Sequence, residues 1–202
     1  MRDAVLYLHG QGGSAAESWH YAALFPDHEM IGLDYQSVTP WQAGEEIRAA
    51  VTALKEEFES VILIANSIGA FFAMNAGIDA MLQRAYFISP IVDMERIIRD
   101  RMRRAEVSEE ELRSKGVMRT DCGEELSWEY LSYVRRPVVW TAPTAILCGS
   151  RDELTPLAAV IDFAKGHNAA LTVMEGGEHW FHTEAQMRFL DEWILRDRTE
   201  GR

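Results

Sequence analysis

Residues 61–70 read Val-Ile-Leu-Ile-Ala-Asn-Ser-Ile-Gly-Ala, and this stretch decides the fold class. The run Val61–Ala65 is short and continuously apolar, as in a strand that is covered on both faces. Ser67 follows it, and the small residues Gly69 and Ala70 then open an apolar segment. Small residues at this point let a helix leave close against its neighbours. The stretch therefore predicts a buried strand, a sharp turn that carries Ser67, and a helix.

Five other runs share the length and apolar composition of this strand: residues 4–8, 30–33, 85–88, 144–148 and 171–174. The segments between them include helical periodicity, with apolar residues three and four positions apart in 47–58 and 187–194. Alternating buried strands and helices predict a three-layer α/β fold with a mostly parallel sheet of about six strands. In such a fold, ligands bind beyond the carboxyl ends of the strands.

The composition sets limits on partners and compartment. The length of 202 residues fits a single domain, and 32 acidic against 20 basic residues give a net charge of −12. This charge disfavours nucleic acid as a partner, and no run of about 20 apolar residues predicts a membrane span. Cys122 and Cys148 form no C-x-x-C pair, which argues against a zinc or redox-dithiol site. The chain is predicted to be cytoplasmic, and its oligomeric state stays open.

Residues 95–136 interrupt the alternation. They hold ten basic and ten acidic residues, so the remainder of the chain carries the whole net charge. Apolar side chains recur with helical spacing around Ile97 and Leu131, and Ser108 with Glu111 forms a capping-box pattern. The segment is predicted to be a helical insertion, and its charges are interpreted as a solvated face.

Three residues with catalytic chemistry each follow a predicted strand. Ser67 follows 61–65, Asp152 lies in the loop after 144–148, and His179 follows 171–174 and two glycines. If these strands are parallel, all three side chains lie at one edge of the sheet. A serine needs a base that titrates near neutral pH, and histidine is the side chain that does so.

The chain order serine, acid, histidine resembles that of the α/β-hydrolase superfamily, and the likeness covers nearly the whole chain. The usual G-x-S-x-G pattern is present except that Ala65 replaces the first glycine. The resemblance implies a small serine esterase-like protein without the amino-terminal antiparallel hairpin. It implies that Ser67 is the nucleophile, His179 the general base and then acid, and Asp152 the carboxylate that fixes the imidazole tautomer. Some members of the family hold the acid after an earlier strand, so Asp93, after 85–88, is an alternative to Asp152. It also implies that residues 95–136 are a helical lid.

The glycine-rich segment after the first strand, His9-Gly10-Gln11-Gly12-Gly13, resembles the H-G-x-x-G segment of the same superfamily. In that family the segment supplies one amide of the oxyanion hole, which implies the N–H of Gln11. The residue after the nucleophile supplies the other, which implies Ile68. His9 is expected to order the loop.

The resulting functional hypothesis is hydrolysis of a small-molecule carboxylic ester or thioester through an acyl-serine. It requires no metal and no organic cofactor. His182 lies three residues after His179, but an H-x-x-H pair without a third ligand is weak evidence for a metal, and His182 is expected to be structural.

Two rival hypotheses come from other functional classes. Residues 10–15 match the dinucleotide fingerprint G-x-G-x-x-A, and Asp34 stands where a ribose-binding carboxylate would, which would suit a nicotinamide-dependent oxidoreductase. The hydrolase hypothesis accounts for more residues, because Ser67, Asp152 and His179 have no role in the oxidoreductase. The second rival is a non-catalytic binding protein with the same fold, since fold alone does not establish catalysis.

Overall fold

A computed structural model describes residues 3–121 and 123–200, so Cys122 lies outside the described residues. These described residues contain eight strands: β1 (Asp3–Leu8), β2 (His28–Leu33), β3 (Val61–Asn66), β4 (Arg84–Ile88), β5 (Val117–Arg119), β6 (Glu125–Ser127), β7 (Thr144–Gly149) and β8 (Ala170–Met174). The α-helices are α1 (Ser18–Ala22), α2 (Pro40–Glu57), α3 (Ile68–Asn75), α4 (Met94–Arg104), α5 (Glu109–Lys115), α6 (Trp128–Tyr133), α7 (Leu157–Gly166) and α8 (Glu184–Glu200). Short 3-10 helices span Ala15–Glu17 and Asp79–Met81.

The central sheet has six strands in the order β2-β1-β3-β4-β7-β8, and every neighbouring pair is parallel. This confirms the predicted fold class, a six-stranded sheet flanked by helices. Each of the six strands also lies within two residues of its predicted bounds. Because Ala65 pairs with Leu8 and Asn66 with Ile88, the carboxyl ends of the central strands meet at one edge.

Burial explains why the strands were readable from the sequence. The four inner strands β1, β3, β4 and β7 are buried along almost their whole length, and Leu63 and Ile146 have no exposed surface. A strand covered on both faces needs apolar residues at consecutive positions, so it appears as an unbroken apolar run. The edge strands β2 and β8 are only partly buried.

The chain divides into two compact units. The larger comprises the described residues up to Val92 and from Val139 onward, and contains the sheet. The smaller, Asp93–Val138, holds α4, α5, α6 and an antiparallel hairpin of β5 and β6. The prediction of a purely helical insertion at 95–136 missed this hairpin, because strands of three residues are too short to show a period of two. Its role as a lid stays a prediction.

The charges of the smaller unit pair with one another. Arg135 reaches both Glu109 (2.8 Å) and Glu95 (3.2 Å), and Arg99 contacts the same two carboxylates at 3.2 and 2.9 Å. Hydrogen bonding from Arg135 lowers the pKa of the Glu109 carboxyl from its ordinary value. These pairs join α4 and α5 to the chain that follows α6, so part of the charge density is an ordered network rather than a simple solvated face.

None of the helices in residues 3–121 and 123–200 combines the length and apolar composition needed to cross a membrane.

The tight contact of α3 with the end of β1 gives a stability prediction. A Cβ on Gly69 would lie 2.6 Å from the His9 carbonyl oxygen and 2.9 Å from that of Leu8. Both atoms belong to the backbone of the sheet and its exit loop, so they cannot move aside cheaply. We expect Gly69→Ala to destabilise the protein by about 2 kcal/mol, which lowers the melting temperature by roughly 5 °C. Differential scanning calorimetry measures this.

Gly166 provides the matched control, because a Cβ at the end of α7 would meet no atom within 4 Å. Gly166→Ala should leave the melting temperature within about 2 °C of the wild type. Equal effects of the two substitutions would contradict the contact argument.

Candidate active site

Ser67 sits at the turn between β3 and α3 with φ 53° and ψ −116°. A non-glycine residue in this region carries a strain of about 1–3 kcal/mol, which the surroundings must offset. Here the backbone is held from both sides, because the Ser67 N–H donates to Ile88 O (2.9 Å) and the Ser67 carbonyl accepts from Ile91 N (3.2 Å). Ser67 thus lies in a turn between a strand and a helix, as the sequence predicted.

His179 links the serine to a carboxylate. Its Nε2 lies 2.8 Å from Ser67 Oγ, and its Nδ1 lies 2.7 Å from Asp152 Oδ2. An ionised carboxylate can only accept, so the contact with Asp152 requires that Nδ1 carries the proton and leaves Nε2 to accept from the hydroxyl. The Asp152 side chain is 2% exposed, whereas the His179 side chain is 23% exposed.

The Asp152 carboxylate is fixed by its own loop. Its Oδ1 accepts from the backbone N–H of Leu154 (2.9 Å) and of Thr155 (2.8 Å), which leaves Oδ2 for the imidazole. This loop touches the loop that carries His179, since Arg151 N donates to Gly177 O at 2.8 Å. Gly149 makes the approach possible, because a Cβ there would lie 2.1 Å from the same oxygen. The loops that carry Asp152 and His179 are thus packed backbone against backbone.

The loop after β1 forms a tight turn beside the serine. Gly13 N donates to Gly10 O at 3.1 Å, and Gly12 between them has φ 76°, a value that requires glycine at this position of a type II turn. A Cβ on Gly10 would lie 3.4 Å from Ser67 Cβ, so this loop and the serine are neighbours. The hydrogen bond that closes the turn uses the N–H of Gly13 and not that of Gln11. Gln11 is an exposed residue.

Ile68 is the first residue of α3. The first amides of a helix have no carbonyl one turn earlier within the helix, so the Ile68 N–H is available to a ligand by its position. The positive end of the helix dipole lies at the same place and favours negative charge there.

Contacts at the glycine loop argue against the dinucleotide hypothesis. The Asp34 carboxylate accepts from Ala15 N at 2.7 Å, so it ties the loop to β2. A Cβ on Gly13 would lie 2.5 Å from a carboxylate oxygen of Glu17, which places a negative charge beside the glycines. The segment continues as a 3-10 helix and the five-residue α1. A pyrophosphate needs a helix amino end free of such a charge.

The remaining sequence candidates have local roles. Asp93 caps α4, its Oδ1 accepting from Arg96 N at 3.0 Å, while the carboxylate next to His179 is that of Asp152. His182 stacks on Trp180 with ring centroids 4.5 Å apart. Burial raises the pKa of Cys148 to about 11, which keeps it a thiol rather than a nucleophilic thiolate. Within 3–121 and 123–200, no three His, Cys, Asp or Glu residues are grouped to hold a metal ion.

Sequence reasoning missed the contact between Tyr7 and Glu17 beside the glycine loop, where the Tyr7 hydroxyl donates to Glu17 Oε2 at 2.5 Å. A signal for the position of Glu17 was present, because Ser14-Ala15-Ala16-Glu17 matches the S-x-x-E capping pattern. No sequence pattern indicated Tyr7 as its partner.

No model of a protein family matches the chain. One curated match, "Putative esterase/lipase 3" of Mycoplasma genitalium, is 29% identical over 75 residues, which are 36% of this chain and 27% of that protein. The chain thus aligns with about a quarter of that relative's length.

Solved structures match over nearly the whole chain. Est1E from Butyrivibrio proteoclasticus has a TM-score of 0.78 and 19% identity, and the match covers 98% of this chain and 88% of that one. Alpha/beta hydrolase domain-containing protein 10 from mouse gives 0.68 and 16%, with 97% and 90% covered. A monoacylglycerol lipase of Paleococcus ferrophilus gives 0.62 and 14%, with 95% and 93% covered. Together with the parallel sheet, these likenesses show that the chain has the α/β-hydrolase fold.

Proposed function

We propose that the protein is a serine hydrolase that cleaves a small-molecule carboxylic ester or thioester through an acyl-serine. The observation that carries the proposal is the continuous chain from Ser67 Oγ through the His179 imidazole to the Asp152 carboxylate, with contacts of 2.8 and 2.7 Å. Two of the similar proteins have names that indicate ester substrates: the esterase/lipase of Mycoplasma genitalium and the monoacylglycerol lipase of Paleococcus ferrophilus. These names support ester bonds as the substrate class.

In the first step, His179 Nε2 takes the proton of Ser67 Oγ as that oxygen attacks the substrate carbonyl. The tetrahedral intermediate collapses when the bond to the alcohol or thiol breaks, and the imidazolium gives its proton to the leaving group. Asp152 stabilises the imidazolium and holds the tautomer. In the second step, water attacks the acyl-serine with the same base, which releases the acid and restores Ser67.

The oxyanion of both intermediates needs donors that already point at it. The Ile68 N–H at the start of α3 and the Gln11 N–H in the turn beside Ser67 are suited to this role, because they flank the nucleophile from two separate elements. Each donor of this kind contributes about 2.7–4 kcal/mol to transition-state stabilisation. A small uncharged substrate suits the net charge of −12, which repels anionic ligands.

A fluorophosphonate probe tests the proposal. In the reaction, Ser67 Oγ attacks phosphorus and fluoride leaves, so the probe stays attached to an activated serine. We expect labelling of one residue, identified as Ser67 by peptide mass spectrometry, and loss of labelling in His179→Ala. Absence of labelling would favour the non-catalytic hypothesis. A fluorescence change of NADH on titration with the protein would favour the oxidoreductase hypothesis instead.

A further inference from the structure

A buried tyrosine and a carboxylate hold the glycine loop next to Ser67. Tyr7 is the second-last residue of β1 with 1% of its surface exposed, and its hydroxyl donates to Glu17 Oε2 at 2.5 Å. The other oxygen of Glu17 accepts from the backbone N–H of Ser14 at 3.3 Å. We call these three residues the Tyr7–Glu17–Ser14 clamp. The clamp spans from the core of the sheet to the residue that directly follows the glycine turn.

We propose that this clamp is a positioning device for the oxyanion hole: it fixes the turn of residues 10–13 so that the Gln11 N–H points at the developing negative charge. The inference rests on the proposed hydrolase function. Glu17 and Tyr7 act through the loop and touch no substrate, so they are positioning residues and not catalytic ones.

The path from the clamp to Gln11 is short. Gly13 closes the turn that presents Gln11, and its Cα lies close under the Glu17 carboxylate, since a Cβ there would be 2.5 Å from Oε1. The next residue, Ser14, gives its N–H to the same oxygen. A shift of the Glu17 carboxylate therefore moves Gly13 at the end of the turn. Gly13 lies two residues after Gln11, the proposed donor.

The opposite end of the loop is anchored separately. Tyr35 OH donates to the His9 carbonyl at 2.6 Å, and the two rings stack with centroids 4.3 Å apart and 5° between planes. His9 Nδ1 also lies 2.8 Å from Gly10 O. Because the His9 end is fixed independently, the position of the Ser14 end and the tilt of the turn depend on the clamp together with the Asp34 carboxylate, which accepts from Ala15 N at 2.7 Å.

The chemistry of the clamp explains its residue types. Burial raises the pKa of Tyr7 far above its ordinary value, so the hydroxyl stays protonated and can donate at neutral pH. A buried phenol without an acceptor is costly, and the Glu17 carboxylate supplies one. The same carboxylate accepts from the loop amide, so one side chain satisfies a core donor and a loop donor together.

The test uses Glu17→Ala and the hydrolysis of p-nitrophenyl acetate. Removing one oxyanion donor costs about 10²–10³ in kcat, and a misdirected donor should cost roughly a tenth of that. We expect kcat to fall about 10- to 100-fold with KM within about twofold, because the interaction forms in the transition state. Inhibition by a trifluoromethyl ketone, which forms a tetrahedral oxyanion on serine, should weaken by the same factor.

Two further variants separate positioning from simple loss of structure. Glu17→Gln keeps an oxygen for the Ser14 N–H and should retain kcat within about fivefold of the wild type. Tyr7→Phe keeps the core volume but releases Glu17 from β1, so it should lower kcat by an intermediate factor. These variants decide the matter if Glu17→Ala does not fold.

Glu46→Ala is the matched control. Glu46 is another carboxylate that holds a loop, accepting from the backbone N–H groups of Gln36 and Ser37 at 3.2 Å each. Its removal should leave kcat and ketone inhibition unchanged. The inference is overturned if Glu17→Ala keeps wild-type kcat, if Glu46→Ala lowers it equally, or if ketone inhibition does not follow kcat. Retention of ester hydrolysis by Ser67→Ala would instead overturn the proposed function.

Discussion

Ser67→Ala is expected to lower kcat for p-nitrophenyl ester hydrolysis by roughly 10⁵-fold while the protein stays folded. The substitution removes the hydroxyl oxygen that lies 2.8 Å from His179 Nε2. In the proposed mechanism no acyl-enzyme can form without this oxygen, and the proposed oxyanion donors alone provide the residual rate. Ser67 is already strained at φ 53°, and alanine bears the same strain, so the melting temperature should change little.

Ser89 offers a matched control for this substitution. It follows the neighbouring strand β4, has a positive φ of 45° and is 1% exposed, and its hydroxyl has no hydrogen-bond partner in the described part of the chain. It lacks the contact with His179 and is too buried to meet a substrate. Ser89→Ala should therefore keep activity within about threefold of the wild type. Loss of activity in Ser89→Ala but not in Ser67→Ala would contradict the assignment of the nucleophile.

The sheet was predictable because its signals are local. A strand such as β3 needs consecutive apolar residues, and the turn at Ser67 needs small residues such as Gly69 nearby, so both leave a direct trace in the sequence. Parallel strands of similar length then place their carboxyl ends at one edge. For this reason the sequence alone predicts that one edge of the sheet carries Ser67, Asp152 and His179.

Contacts between distant segments were not predictable in the same way. The pairing of β7 with β8 brings Gly149 against Gly177, and the chain after β1 folds back so that Glu17 meets Tyr7. Both contacts depend on side-chain direction and backbone approach. The sequence shows each residue but not its partner. Residues 10–15 illustrate this limit. They match the dinucleotide fingerprint G-x-G-x-x-A, yet the Asp34 carboxylate accepts a hydrogen bond from the backbone N–H of Ala15 in that loop.

The hairpin of β5 and β6 was missed for a different reason. Each strand has three residues, and the inner face contributes a single well-buried side chain, Leu126. One buried residue does not define a period. The sequence shows that residues 95–136 are rich in charged residues. Only the structure shows that Arg135 pairs with the carboxylates of Glu95 and Glu109.

Asp152→Asn is expected to lower kcat by about 10⁴-fold, and the reason lies in the loop that holds the side chain. The N–H groups of Leu154 and Thr155 both point at Oδ1, so the oxygen of an asparagine must occupy that site. Its NH₂ then faces His179 Nδ1 and donates to it. This holds the imidazole proton on Nε2, where it blocks transfer from Ser67. ¹⁵N NMR of the imidazole should show the proton moving from Nδ1 to Nε2.

Asp93→Asn is the control, because asparagine caps a helix as well as aspartate does and should preserve both tautomer and rate. In the double variant Ser67→Ala/Asp152→Asn, the loss should equal that of Ser67→Ala alone, since residues of one proton relay are not additive. Additive losses, or an unchanged tautomer in Asp152→Asn, would contradict the relay.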